Sequence, residues 1–361
     1  MLQRIGLCTG IFLVMALSNA IVPVLPGFAE GTGEQGLIYS AYFLGAFLTT
    51  IPAGLLSDRF GTAAIVRLGL FASLAGGLAV AAAGSADQLI FARLFEGLAA
   101  GLVVASGLSW VNSQEDHTRM SGYFMASLNL GLVAGLVATG WIADLLQSPY
   151  AGIQVFTALL IIPAVMSWAL RSSLRKDGAA LRGTLSAVFR YRWLWYGTAV
   201  IIGVTGVATA LYPAYSGNNP GLLGIQIGGM SMATIIAALA TSRFRLHPVP
   251  ILQAAAVLMA GGILLCAVTA WSFLLLGALA GIVQITLMAL LAEEQEIQGT
   301  LMGLFSAVNY GGMALFPALA GFVAGGFGFL AAFGVTAAFA ISVAGLAGRI
   351  AEDRPVVQNH S

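Results

Sequence analysis

Gly54-Leu55-Leu56-Ser57-Asp58-Arg59-Phe60-Gly61 stands between two long apolar runs. A degraded copy, Ala238-Leu239-Ala240-Thr241-Ser242-Arg243-Phe244-Arg245, stands between two more. The two arginines are 243 − 59 = 184 residues apart, close to half of the 361-residue chain. Each copy follows a hydrophobic stretch of the length that crosses a bilayer as a helix, about 20 residues. A membrane chain duplicated in parallel reads as two helical bundles related by an axis along the membrane normal, with a pathway between them.

Composition agrees. The chain is 59% hydrophobic and 8% charged, where an average soluble domain carries about 25% charged residues. Apolar runs fall near 5–25, 36–56, 63–83, 88–110, 120–145, 151–170, 194–214, 221–241, 250–269, 272–292, 300–322 and 328–348, which makes twelve spans. Forty-six glycines suit helices that approach one another closely in lipid. The expected fold is an all-α polytopic membrane protein with twelve transmembrane helices in two pseudo-symmetric six-helix bundles. Residues 1–170 form the first bundle, 171–192 a linker, 193–348 the second bundle and 349–361 a tail. Cys8 and Cys266 both lie inside apolar runs and read as packing residues, with neither a disulfide nor a metal site.

Charge fixes the sides. Arg4 precedes span 1, Arg59 and Arg67 follow span 2, and Arg119 follows span 4. Arg171, Arg175, Lys176, Arg182, Arg190 and Arg192 follow span 6, Arg243 and Arg245 follow span 8, and Arg349 and Arg354 follow span 12. Short connections alternate sides, so all fourteen fall on one face, which the positive-inside rule makes cytoplasmic. Both termini are then inside, and the expected location is the plasma or inner cell membrane. Arg4, an apolar stretch and Ser18-Asn19-Ala20 also resemble a cleavable signal peptide. The apolar stretch continues through Ile21-Val22-Pro23-Val24-Leu25, however, and its loss would leave eleven spans, so span 1 is expected to stay. In the linker, Leu181, Leu185, Val188 and Phe189 recur at helical spacing among arginines, the pattern of a short amphipathic helix on an anionic leaflet.

A second pair of segments supports duplication. Ser121-Gly122-Tyr123-Phe124 with Asn129-Leu130-Gly131 returns as Met302-Gly303-Leu304-Phe305 with Asn309-Tyr310-Gly311, at offsets of 302 − 121 = 181 and 309 − 129 = 180. With these residues the chain resembles the major facilitator superfamily over its whole length. The first loop looks like the family's G-x-x-x-D-R-x-G signature at Gly54, Asp58, Arg59 and Gly61. Arg93-Leu94-Phe95-Glu96-Gly97 looks like the R-x-x-Q-G motif of its proton-coupled drug antiporters, with Glu96 in place of glutamine. Gly131, Gly135 and Gly140 are similar to the antiporter glycine motif, although Leu136 stands where that motif has proline. Thr62 and Ala63 stand where the family usually places basic residues.

Asp58 can cap the next helix or pair with a cation, while Gly54 and Gly61 permit close packing or unusual backbone angles. The resemblance implies a cytoplasmic latch between the halves at these four positions. The residues alone also allow a capped turn that only sets topology. Ser242 replaces the acid in the second copy, so a latch would be asymmetric. Arg93 is the one basic residue inside a span, a position that demands a partner, and Glu96 lies three residues on, within reach on a helix. Glu96 is then either a protonatable coupling group or the counter-ion of an arginine that snorkels outward. Candidate cavity contacts are the uncharged polar groups inside spans: Asn19, Tyr42, Asn129, Tyr212, Gln226, Gln284, Asn309 and Tyr310.

The expected function is secondary transport by alternating access, in its sharper form proton-coupled export of a small lipophilic or amphipathic compound. Movement of a carboxylate metabolite anchored by Arg93 is the alternative; a lipid-handling protein or receptor is a third reading. The partners expected are a small-molecule substrate, a coupling proton and the bilayer, with a monomer as the unit. No nucleic acid, cofactor or metal is expected. His117, His247 and His360 are far apart, which gives no zinc pair at i, i+4. The sole lysine, Lys176, is preceded by Arg175 and followed by Asp177, so the chain has no Gly-Lys-Ser/Thr phosphate loop. Glu293, Glu294 and Glu296 form an acidic run before span 11 whose partner the sequence does not name.

Overall fold

The computed structural model describes residues 2–114, 116–172, 184–244, 247–292 and 298–352. In the first half the helices are α1 (Leu2–Ala20), α2 (Thr32–Phe60), α3 (Thr62–Ala82), α4 (Ala86–Asn112), α5 (His117–Leu146) and α6 (Ala151–Met166). A short α7 (Thr184–Arg190) follows. The second half has α8 (Arg192–Ser216), α9 (Pro220–Thr241), α10 (Pro248–Leu265), α11 (Ser272–Ala292), α12 (Gln298–Phe327) and α13 (Phe329–Glu352). Twelve of these, all but α7, are long and apolar enough to cross a membrane. Short 3-10 helices, two turns at Val22–Gly27 and one at Ser167–Ala169, extend α1 and α6.

Helix ends follow the local chemistry. Ser85 accepts a bond from the Gln88 amide at the start of α4, and Asn219 accepts one from Leu222 at the start of α9, with Pro220 at the first helical position. Residues 55–60 contain nothing that breaks a helix, so α2 runs on past the predicted end of its apolar run at residue 56. It stops only at Gly61, whose φ of +86° is open to glycine. Asp58 therefore sits in the last turn of α2 and does not cap α3, where Gly61 is the N-cap and no side chain bonds the free amides. Gly54 needs no special packing, because a methyl group there would meet nothing within 4 Å.

Arg67 of α3 donates to the carbonyls of Ser167 (3.0 Å) and Leu170 (2.6 Å) at the end of α6. A cation there satisfies carbonyls that the helix leaves unpaired. In the linker, Ala187 is buried and its carbonyl accepts from the Trp195 indole at 3.2 Å, while Val188 and Phe189 are exposed. Leu181, Arg182, Arg175 and Lys176 lie outside the described residues, as do the acidic run at 293–296, Arg245, Arg354 and the end of the tail.

Two seams join the halves. Along one, α2 lies against α12; along the other, α5 lies against α9. The closest approaches are backbone on backbone near the ends away from the arginine-rich face. A methyl on Gly36 would collide with the Pro317 carbonyl, one on Gly321 with the Thr32 carbonyl, one on Gly140 with the Pro220 carbonyl and one on Gly224 with the Leu136 carbonyl. The 3-10 turn after α1 adds to this closure by packing on α8 and α9. At the arginine-rich face, Asp58, Arg59, Ser242 and Arg243 are exposed, and neither Asp58 nor either arginine makes an ion pair among the described residues. The halves are pressed together at the end away from the arginine-rich face.

Candidate functional site

The charged centre sits on α4, seven residues in from its first residue, Ala86. Arg93 and Glu96 are 1% and 2% exposed, and Arg93 Nη1 donates to Glu96 Oε2 at 2.7 Å. Arg93 does not snorkel. Its Nη2 instead donates to the backbone oxygen of Ser18 at 2.9 Å, one of the last four carbonyls of α1, which lack helical partners because the helix ends at Ala20. The ring of Tyr42 on α2 lies against the guanidinium, 4.6 Å from its centroid. Glycines allow this closeness: a methyl on Gly97 would collide with the Tyr42 carbonyl, and one on Gly76 of α3 would lie 3.0 Å from Glu96 Cα. Four helices thus meet at one ion pair.

That pair is incompletely satisfied. Arg93 Nε and Glu96 Oε1 are buried with no hydrogen-bond partner among the described residues. A buried charge pair keeps its place only when its remaining donors and acceptors are met. These two atoms therefore mark where a proton, water or substrate atom could act.

Aromatic rings link the pair to the second half. Tyr42 packs edge-on to Phe43 at 5.1 Å between centroids, Phe43 lies 5.0 Å from Tyr39, and Phe43 is 6.4 Å from Tyr310 of α12. The Tyr39 hydroxyl reaches Sδ of Met313 at 3.9 Å and has Thr209 of α8 as a neighbour. Asn309 stands one turn before Met313, and its Oδ1 is a further buried oxygen without a partner among the described residues.

Of the residues singled out from sequence, Tyr42, Arg93, Glu96 and Tyr310 therefore gather at one place. Asn19 adjoins them and ties α1 to α5 through Leu132 O at 3.3 Å. Others lie apart. Tyr212 packs edge-on against Phe273 at 4.7 Å inside the second half. Asn129 bonds the Met125 carbonyl of its own helix, Gln226 takes a 3.4 Å bond from Asn218, and Gln284 is half-buried on α11. Sequence reasoning missed Tyr39 and Phe43, although Tyr39, Tyr42 and Phe43 at i, i+3 and i+4 are one aromatic stripe of a helix. Among the described residues no group of three His, Cys, Asp or Glu side chains could hold a metal.

The chain belongs to the Major Facilitator Superfamily, whose family model matches residues 7–317. It is 31% identical over 125 residues to a probable chloroplastic anion transporter of Arabidopsis thaliana, covering 34% of this chain and 24% of that protein. It is 26% identical over 141 residues to the quinolone resistance protein NorA of Staphylococcus aureus, covering 37% of this chain and 36% of that protein. The chain thus spans well under half of each of these relatives. The fold is shared with the nucleoside transporter NupG (TM-score 0.81, 13% identity, 96% of this chain and 99% of that one). It is shared too with a bacterial homologue of the lysosomal transporter Spinster in an inward-facing, occupied conformation (TM-score 0.79, 13% identity, 99% and 98%). Its family and its twelve long apolar helices make it a multi-pass membrane protein.

Proposed function

We propose that this chain is a secondary active transporter that exports a small lipophilic or amphipathic compound in exchange for protons. The observation that carries this is the buried Arg93–Glu96 pair, with one orphaned atom on each partner beside the tyrosines that reach the second half. A proton on Glu96 removes its charge and releases the Nη1 contact. Arg93 then holds only the Ser18 carbonyl and the Tyr42 ring, and the packing of α1 and α2 on α4 changes with it. The surrounding walls are aromatic and apolar, which favours a compound that leaves water readily.

In this reading residues 1–170 and 193–348 rock against each other about the two seams, with 171–192 as a tether and 349–361 as a tail. Gly54, Asp58, Arg59 and Gly61 form a latch that engages when the basic face closes. The exposed Asp58 supports this: an acid in the last turn of a helix is disfavoured by the helix dipole, so it gains most from another partner. The basic face is cytoplasmic, the membrane is the cell's plasma or inner membrane, and the unit is a monomer.

A second reading, carriage of a carboxylate, draws on the unpartnered Arg93 Nε and on the name of the Arabidopsis relative. It requires the anion to displace Glu96 from Arg93. Purified protein in liposomes with an imposed pH gradient, screened against dyes, carboxylates and sugars, separates the two. Proton movement triggered by amphipathic dyes and lost in Glu96→Gln is the expected result. Carboxylate flux that survives Glu96→Gln and stops in Arg93→Ala would replace it with the second reading, and no flux of any class would return the protein to a lipid-handling or receptor role.

A further inference from the structure

The outer end of α5 reaches across the seam to the start of α9. Asp144 Oδ2 accepts a bond from the backbone N–H of Gly221 at 3.0 Å, although the two residues belong to different halves. The first donors of α9 can be accounted for one by one. Pro220 has none, Leu222 bonds the Asn219 side chain, Leu223 bonds the Asn219 carbonyl, and Gly221 alone is served from the other half. The first turn of α9 holds no acid of its own, whereas the corresponding helix of the first half, α2, carries Glu34 in its first turn. On the other seam, the position 144 + 181 = 325 is Gly325, and it lies beside the Thr32 hydroxyl at the start of α2. The carboxylate is therefore supplied across a seam only where the receiving helix lacks one.

We propose that Asp144 is the clasp of an outer gate, holding the closed outer face by placing its carboxylate on the positive end of α9. The contact exists only while the halves meet at that face. Each opening must hand the Gly221 N–H and the carboxylate back to water, so the clasp sets the balance between the two faces of the cycle. This rests on the alternating-access reading above. It does not depend on the substrate or on the coupling ion.

The test measures the outer gap directly. Spin labels go on Asp87→Cys in the first turn of α4 and Val268→Cys in the turn after α10, exposed positions of the two halves, in a Cys8→Ser, Cys266→Ser background. Distances are read by pulsed dipolar spectroscopy in liposomes without substrate or gradient. Asp144→Ala is expected to raise the ratio of open to closed outer distances roughly twofold to fivefold, the span of a helix-terminus charge interaction. Asp144→Asn, which keeps an acceptor oxygen without the charge, falls between it and the parent. Gly221→Ala keeps the acid but places a methyl 2.5 Å from Asp144 Oδ2. It opens the same gap by prising the clasp apart, and Leu145→Ala, on an 82%-exposed side chain, leaves it unchanged. An outer distance distribution that ignores Asp144→Asn and Gly221→Ala in folded protein overturns the clasp. The export reading would survive that outcome, because it is read from flux and proton movement instead.

Discussion

Leu136 and Pro317 occupy the same place in the two halves. Their separation, 317 − 136 = 181, equals that of the seam glycines Gly140 and Gly321 (321 − 140 = 181), and each turns its backbone carbonyl onto a glycine of the opposite half, Gly224 for Leu136 and Gly36 for Pro317. Proline at 317 has no N–H to give the carbonyl of residue 313, so α12 can bend where α5 need not. The two seams are alike in contact and unlike in stiffness. Leu136→Pro should therefore be tolerated better than a proline elsewhere inside a span. We expect folded protein with an altered open-to-closed ratio, whereas proline at Val133, one turn earlier, should abolish stable expression.

Breaking the ion pair from one side should be worse than removing it whole. Arg93→Ala leaves Glu96 buried and alone, a loss of about 3–5 kcal/mol by the behaviour of buried pairs. The double change Arg93→Met with Glu96→Leu should recover most of the lost thermal stability while transport stays absent. Thermal unfolding of the single and double variants in the same detergent checks this, and additive losses would refute it.

The glycines of α4 and α2 should divide sharply. Gly97→Ala and Gly45→Ala drive a methyl into the Tyr42 and Leu94 carbonyls, and Gly61→Ala forces a side chain onto φ +86°. Such backbone strain costs about 1–3 kcal/mol, and overpacking at a contact about 1–3 kcal/mol. Gly122→Ala, with open space around it, should leave stability unchanged.

Gly54→Ala and Asp58→Asn test the latch without confusing it with stability. Neither residue has a packing or polar partner among the described residues in this conformation. Asp58→Asn should even stabilise it slightly, by about 0.3–1 kcal/mol, because the acid opposes the dipole at the end of α2. Both variants should melt no lower than the parent yet transport more slowly. Unchanged transport rates would reduce the motif to a turn.

Much of the architecture was legible because hydropathy and charge act at the scale of whole helices. All twelve spans appear where the apolar runs placed them, and the Arg93–Glu96 pair follows from helical spacing alone. What was not legible depends on contacts between distant segments. Nothing local marks the Ser18 carbonyl as a receiver for Arg93; that required α1 to end at Ala20 and α4 to pass beside it. Asn129 is a cavity candidate as an uncharged polar group inside a span, and the bond its side-chain amide donates to the Met125 carbonyl of its own helix was not legible from that. Asp144 looked like an end-of-span acid, and its partner on α9 becomes visible only once the halves are docked. The extension of α2 through Arg59 was hidden because polar residues end a hydrophobic run without ending a helix.

The bare glycine seams carry a mechanical consequence. Where carbonyl rests on α-carbon, as at Gly36, Gly140, Gly224 and Gly321, no side chain interlocks, so at those points the two bodies can part without a rotamer change. With no side chains meshed at those points, an end-on charge such as Asp144 weighs more in the balance there than its size implies.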